Sequence, residues 1–164
     1  MKNLFDLTGK VALITGGGGL LGPKHAQAII EQGGKVILAD WHEDRAKQKA
    51  EELGENATYE YIDVTNKKSI EKLVSKYDKI DILINNAAKD PKVKKGGGLT
   101  PDSRFETMTE QYWQEGIDAC INGTFLCSQV VSNHMLKNGG GVILNISSDL
   151  GVIAPDQRIY RKEG

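Results

Sequence analysis

The sequence is poor in the residues that mark several protein classes. It has 2 cysteines and 3 histidines among 164 residues. Cys120 and Cys127 fall in one helical stretch, where their spacing puts the Cα atoms about 10 Å apart, beyond disulfide reach. Both are expected to be reduced. His25, His42 and His134 show no metal-ligand spacing, so no metal site is expected. No charge of one sign dominates: Lys+Arg 21 against Asp+Glu 22 leaves a net charge of −1. That balance argues against broad binding to nucleic acid or to an anionic membrane. No run approaches the ~18 apolar residues of a membrane span, and the first residues carry no signal-peptide core. A cytoplasmic protein is expected.

What is present is alternation. Val11–Thr15, Lys35–Asp40, Thr58–Asp63, Ile80–Asn85 and Val142–Ile146 read as strands. Between them, Leu20–Gln32, Glu43–Leu53, Ser69–Tyr77 and the long stretch Thr109–Lys137 read as helices. Strands alternating with helices mean βαβ units, and apolar strands of this kind sit in a doubly wound parallel sheet, an α/β fold. The length suits one core rather than two domains. An irregular stretch, Ala87–Arg104, holds three consecutive glycines and a local excess of lysine at Lys89, Lys92, Lys94 and Lys95. It reads as a solvated loop that could flank a site mouth.

Glycine is abundant, at 19 residues, and clustered. Thr15-Gly16-Gly17-Gly18-Gly19-Leu20-Leu21-Gly22 lies between the first strand and the first helix. A backbone without Cβ turns tightly and comes close to a pyrophosphate, and the helix start supplies N–H donors. Gly16, Gly17, Gly19, Leu21 and Gly22 are the candidate contacts. Asp40 ends the second strand, where a carboxylate accepts hydrogen bonds from ribose hydroxyls and repels a 2′-phosphate. No Lys or Arg occurs from Gly16 to Leu21 or within four residues after Asp40, which favours NAD over NADP. Capping of the following helix is the structural alternative for Asp40.

These residues resemble the short-chain dehydrogenases/reductases from about Leu7 to Ala154. The resemblance rests on the glycine motif, Asp40, Asp63-Val64, Asn85-Asn86-Ala87-Ala88, Asn122 and Asn145-Ile146-Ser147-Ser148. It implies a Rossmann-like sheet in the order 3-2-1-4-5 and hydride transfer between NAD(H) and a small alcohol or carbonyl substrate. It implies that Asp63 and Val64 face the adenine ring, and that Asn86 and Ala87 line the adenosine ribose and the central sheet. Asn122 would hold a relay water. Ser148 would bind the substrate oxygen, with Ser147 as its competitor. The family's long helix commonly packs against a second subunit, so a homo-oligomer through residues 109–137 is expected.

Two departures stand out. The glycine spacing 16/19/22, with Leu20 where the commonest pattern has Gly, looks like the extended branch of the family. A sugar-nucleotide epimerase or dehydratase is therefore one alternative, and a non-catalytic dinucleotide-binding module another. The family's Tyr-x-x-x-Lys pair is also not matched: four residues after Tyr160 stands Gly164. The expectation is a single NAD(P)-binding domain over 1–164, incomplete at its C-terminus and inactive as it stands.

Overall fold

The computed structural model describes residues 4–89 and 104–153. Five parallel strands form one sheet in the order β3-β2-β1-β4-β5. They are β1 Val11–Thr15, β2 Lys35–Asp40, β3 Ala57–Tyr61, β4 Ile82–Asn85 and β5 Val142–Asn145. The helices are α1 Gly22–Glu31, α2 Glu43–Leu53, α3 Lys67–Val74, α4 Glu110–Ile117 and α5 Gly123–Lys137.

Alternation along the strands builds two cores, because successive side chains leave opposite faces of a sheet. Ala12, Ile14, Val36, Leu38 and Ile84 meet Ala26 and Ile29 of α1 and Ala46 and Ala50 of α2. Leu13, Ile37, Ala39 and Leu83 meet Ile70 and Leu73 of α3 and Cys127, Val131 and Met135 of α5. Each central strand is apolar on both faces, as a doubly wound sheet requires. The expected fold class and strand order are therefore observed.

Several boundaries move inward from the sequence reading. The first helix begins at Gly22 rather than Leu20, and β4 at Ile82 rather than Ile80. β3 ends at Tyr61, level with Asp40 on β2. α3 starts earlier than expected, at Lys67, because the Asn66 side chain accepts the Lys68 and Ser69 N–H groups.

The larger correction concerns residues 109–137. They form not one α-helix but two, joined by a π-helical turn over Asp118–Asn122. The Gly123 N–H reaches back to the Asp118 carbonyl, and the Thr124 hydroxyl caps the Cys120 carbonyl at 2.8 Å. At the end of this turn Gly123 packs closely against Val64. A Cβ on Gly123 would lie 2.8 Å from Val64 Cγ2, so only glycine lets the helix approach the end of β3 this closely.

Candidate active site

The carboxyl ends of β1, β2 and β4 converge on the glycine turn, with the end of β5 beside that of β4. Gly16 has φ +67°, the left-handed region that favours glycine, and a Cβ there would come 2.9 Å from Ala87 Cα. Gly17 packs on Leu38, whose Cβ would be 2.7 Å from an added methyl. Gly22 packs on the Gly16 carbonyl equally closely. The turn therefore packs against the backbone of β2 on one side and of the segment after β4 on the other, and closes on itself at Gly22.

Its internal hydrogen bonds show what it leaves free. Gly17 N–H donates to the Ala39 carbonyl, Gly19 N–H to the Gly16 carbonyl and Gly18 N–H to the Asp40 carboxylate. The N–H groups of Leu20, Leu21 and Gly22 take no partner among the described residues. Three adjacent donors at the start of α1, followed by Pro23, which has none to offer, make a concavity suited to an anion.

Asp40 is only 7 % exposed, yet no cation pairs with it among the described residues. Its Oδ2 accepts Gly18 N–H at 3.0 Å and its Oδ1 accepts His42 N–H at 2.9 Å. The carboxylate thus ties the glycine turn to the end of β2. It does not cap α2 as the structural alternative supposed; His42 holds the cap position. Each oxygen keeps a second lone pair for a ligand hydroxyl.

Thr15 closes the opposite side. Its hydroxyl accepts the N–H groups of Asn86 and Ala87, each at 3.1 Å. The Asn86 amide returns to the Thr15 and Gly16 carbonyls at 3.0 and 3.3 Å. Asn86 and Ala87 therefore meet the glycine turn directly. Val64 lies beside Thr15, Asn85 and Ala87 and packs under Gly123. Asp63 stands one residue back, its carboxylate holding Thr65 by N–H and hydroxyl at 2.9 and 2.7 Å.

Sequence reasoning gave Asn85 no role, yet it is the buried knot of this end. Its Nδ2 donates to Ser128 Oγ of α5 at 2.9 Å and to Asn145 Oδ1 of β5 at 2.8 Å, while its Oδ1 is buried without a partner. Asn85 and Asn145 lie in register, so the only available signal was an asparagine ending each of two strands. Ser128 carried no signal at all. Cys127 sits beside this knot, where burial pushes its thiol up to about 12 and leaves it protonated and inert at neutral pH.

Ser148 follows β5 and is exposed, with its hydroxyl donating to Asp149 at 3.2 Å and accepting Leu150 N–H. Ser147 is exposed beside it. Asn122 is not brought to this group. Its amide donates to Asp118 Oδ1 at 2.8 Å, where Gln114 also donates, and it lines an outer cleft of about 450 Å³ with Thr65, Phe125 and Leu126. The helix instead meets the strand ends through Ala119, Gly123, Thr124 and Cys127. Tyr160 and the lysines at 92, 94 and 95 lie outside the described residues. Lys89 pairs with Glu115 of α4 and stands over the Tyr112 ring. No cluster of metal-ligating side chains occurs among the described residues.

The family profile described as short chain dehydrogenase matches residues 10–160. An NAD-dependent glycerol dehydrogenase of Listeria innocua is 34 % identical over 160 residues, covering 94 % of this chain and 59 % of its own. A 3-oxoacyl-(acyl-carrier-protein) reductase of Rickettsia felis is 32 % identical, covering 96 % of this chain and 61 % of its own. The crystal structure of a short-chain type dehydrogenase/reductase from Mycobacterium marinum superposes with a TM-score of 0.81 at 31 % identity, over 93 % of this chain and 61 % of that one. The chain spans about 60 % of the length of these relatives. With the strand order, the glycine turn and the strand-end asparagines in place, the chain belongs to the short-chain dehydrogenases, a family of NAD(P)-dependent oxidoreductases.

Proposed function

We propose that the chain forms the nucleotide-binding part of an NAD-dependent oxidoreductase that moves a hydride between the nicotinamide and an alcohol or carbonyl. The observation that carries this reading is the pairing, among the described residues, of three N–H groups without partners, at Leu20, Leu21 and Gly22, with a buried carboxylate at Asp40 that no cation neutralises. The N–H groups bind the pyrophosphate, and Gly16, Gly17 and Gly19 let it approach. Asp40 accepts the adenosine ribose hydroxyls through its remaining lone pairs. Asp63 and Val64 border the adenine, and Asn86 and Ala87 hold the turn in shape from the β4 side. The nicotinamide supplies or takes the hydride when the cofactor is bound.

Ser148 donates to the substrate oxygen, after its hydroxyl turns away from Asp149. Asn122 serves a relay water only by releasing Asp118, so its amide is expected to exchange between the two. The glycerol dehydrogenase and oxoacyl reductase relatives support the alcohol and carbonyl class of substrate. Exposed Trp113, Ile121, Phe125 and Leu136 on α4, the π turn and α5 support pairing of two subunits through residues 109–137. The domain is read as one unit over 1–164, because both cores share one sheet.

Titration of the full-length protein with both dinucleotides tests the cofactor. NAD binds more tightly than NADP, and Asp40→Ala lowers that preference by about tenfold. Tighter binding of NADP, with Asp40→Ala making no difference, overturns the assignment. Ser148→Ala is expected to remove most turnover while sparing NAD affinity. The same pattern from Ser147→Ala instead moves the substrate contact by one residue.

A further inference from the structure

We propose that Arg45 is a second nucleotide-selecting residue, which partly offsets the rejection of a 2′-phosphate by Asp40. This inference rests on the dinucleotide site proposed above. In sequence Arg45 lies five residues beyond Asp40, outside the window in which a basic residue would ordinarily be sought. The fold brings it back. α2 runs beneath the glycine turn, and a Cβ built on Gly18 would lie 2.7 Å from Arg45 Cβ and 3.0 Å from Ala46 N. Gly18 is also the residue whose N–H donates to Asp40 at 3.0 Å. Arg45 and Asp40 therefore flank the same glycine.

Their surroundings differ in a way that matters for selectivity. The Asp40 carboxylate is almost fully buried and receives two backbone N–H groups, so part of its charge is already met. Arg45 is exposed and forms no ion pair among the described residues, although Glu43 and Asp44 precede it on the same helix. A guanidinium with no carboxylate partner keeps its full set of donors, and its planar fork suits a phosphate. Asp40 still favours a free 2′-hydroxyl. Arg45 supplies a cation beside the position where a 2′-phosphate would stand, so discrimination against NADP is weaker than Asp40 alone would impose.

The test uses two half-ligands on the full-length protein, 5′-AMP and 2′,5′-ADP, titrated by calorimetry into wild type, Arg45→Ala, Arg45→Gln and Arg45→Lys. Arg45→Ala and Arg45→Gln are expected to weaken 2′,5′-ADP about tenfold and to leave 5′-AMP within about twofold. Arg45→Lys is expected to fall between, and the wild-type advantage to shrink as salt is raised. An unchanged ratio of the two affinities in Arg45→Ala, or no binding of 2′,5′-ADP by a wild type that binds 5′-AMP, overturns the role of Arg45. Failure of wild type to bind 5′-AMP instead overturns the underlying nucleotide site.

Discussion

The two ends of the sheet each bury one carboxylate, and they treat it in opposite ways. At the amino end, Asp81 is 5 % exposed and accepts Lys79 at 2.7 Å, Lys10 at 3.2 Å and the Val11 N–H at 3.1 Å. Burial raises its carboxyl, but the hydrogen bonds from Lys79, Val11 and Lys10 outweigh it and hold the group below the ordinary aspartate value. At the carboxyl end, Asp40 is buried as deeply, and among the described residues its donors are backbone N–H groups only. Burying a charge is costly unless it is paired. The amino end is closed by its own lysines and pins β1 to β4. The carboxyl end leaves a carboxylate without a cation and three N–H groups without a partner among the described residues.

The sharpest way to break this contrast is at Gly17. Gly17→Ala places a methyl against Leu38 backbone, where neither side can yield, and displaces the turn. NAD affinity of the full-length protein is expected to fall by about 100-fold or more. An affinity within about threefold of wild type would remove the site from this end. Next is Asn85→Ala, which frees Asn145 and Ser128 from their shared partner. A loss of about 2 kcal/mol in urea unfolding is expected, with β5 loosened first in hydrogen exchange.

The smallest effect is expected at the amino end. Asp81→Asn costs about 1 kcal/mol at neutral pH, because both lysines are half in solvent and only the Val11 contact is well shielded. NAD affinity does not change. The pH dependence has a definite sign. A carboxyl held below its unfolded value contributes fully above the ordinary 3.8, and that contribution is lost as pH falls through the lower folded value. The stability gap between wild type and Asp81→Asn should therefore close in acid below about pH 4.

Much of this molecule was legible in the chain. Strands such as Val11–Thr15 are apolar on both faces, so their burial shows without any partner being known. The glycine turn showed because its position between strand and helix gives its spacing a physical meaning. What escaped depends on contacts between distant residues. Asn85 pairs with a residue 60 positions away, and the Arg45 Cβ packs against Gly18 from α2. The π turn escaped for another reason: its residues have helical composition, and nothing in the local sequence marks the wider pitch. The motif points Asn122 at a relay water, but its amide is held by Asp118, four residues back on the same face.

The same turn also sets the phase of the helix surface. In an unbroken α-helix, positions 113 and 125 would stand about 120° apart around the axis. A π turn takes up about one extra residue, which rotates everything before it by about 100° and leaves the two within about 20°. Position 136, eleven residues past 125, falls within about 20° of it as well. Trp113, Phe125 and Leu136, exposed at 59, 61 and 76 %, thereby line up as one apolar stripe along two helices. Winding residues 118–122 as plain α-helix with none removed would swing Trp113 about 100° out of that line, whereas deleting one residue there would keep it in place, so at its present length the segment owes the continuity of the stripe to an irregularity of the backbone rather than to a heptad in the sequence.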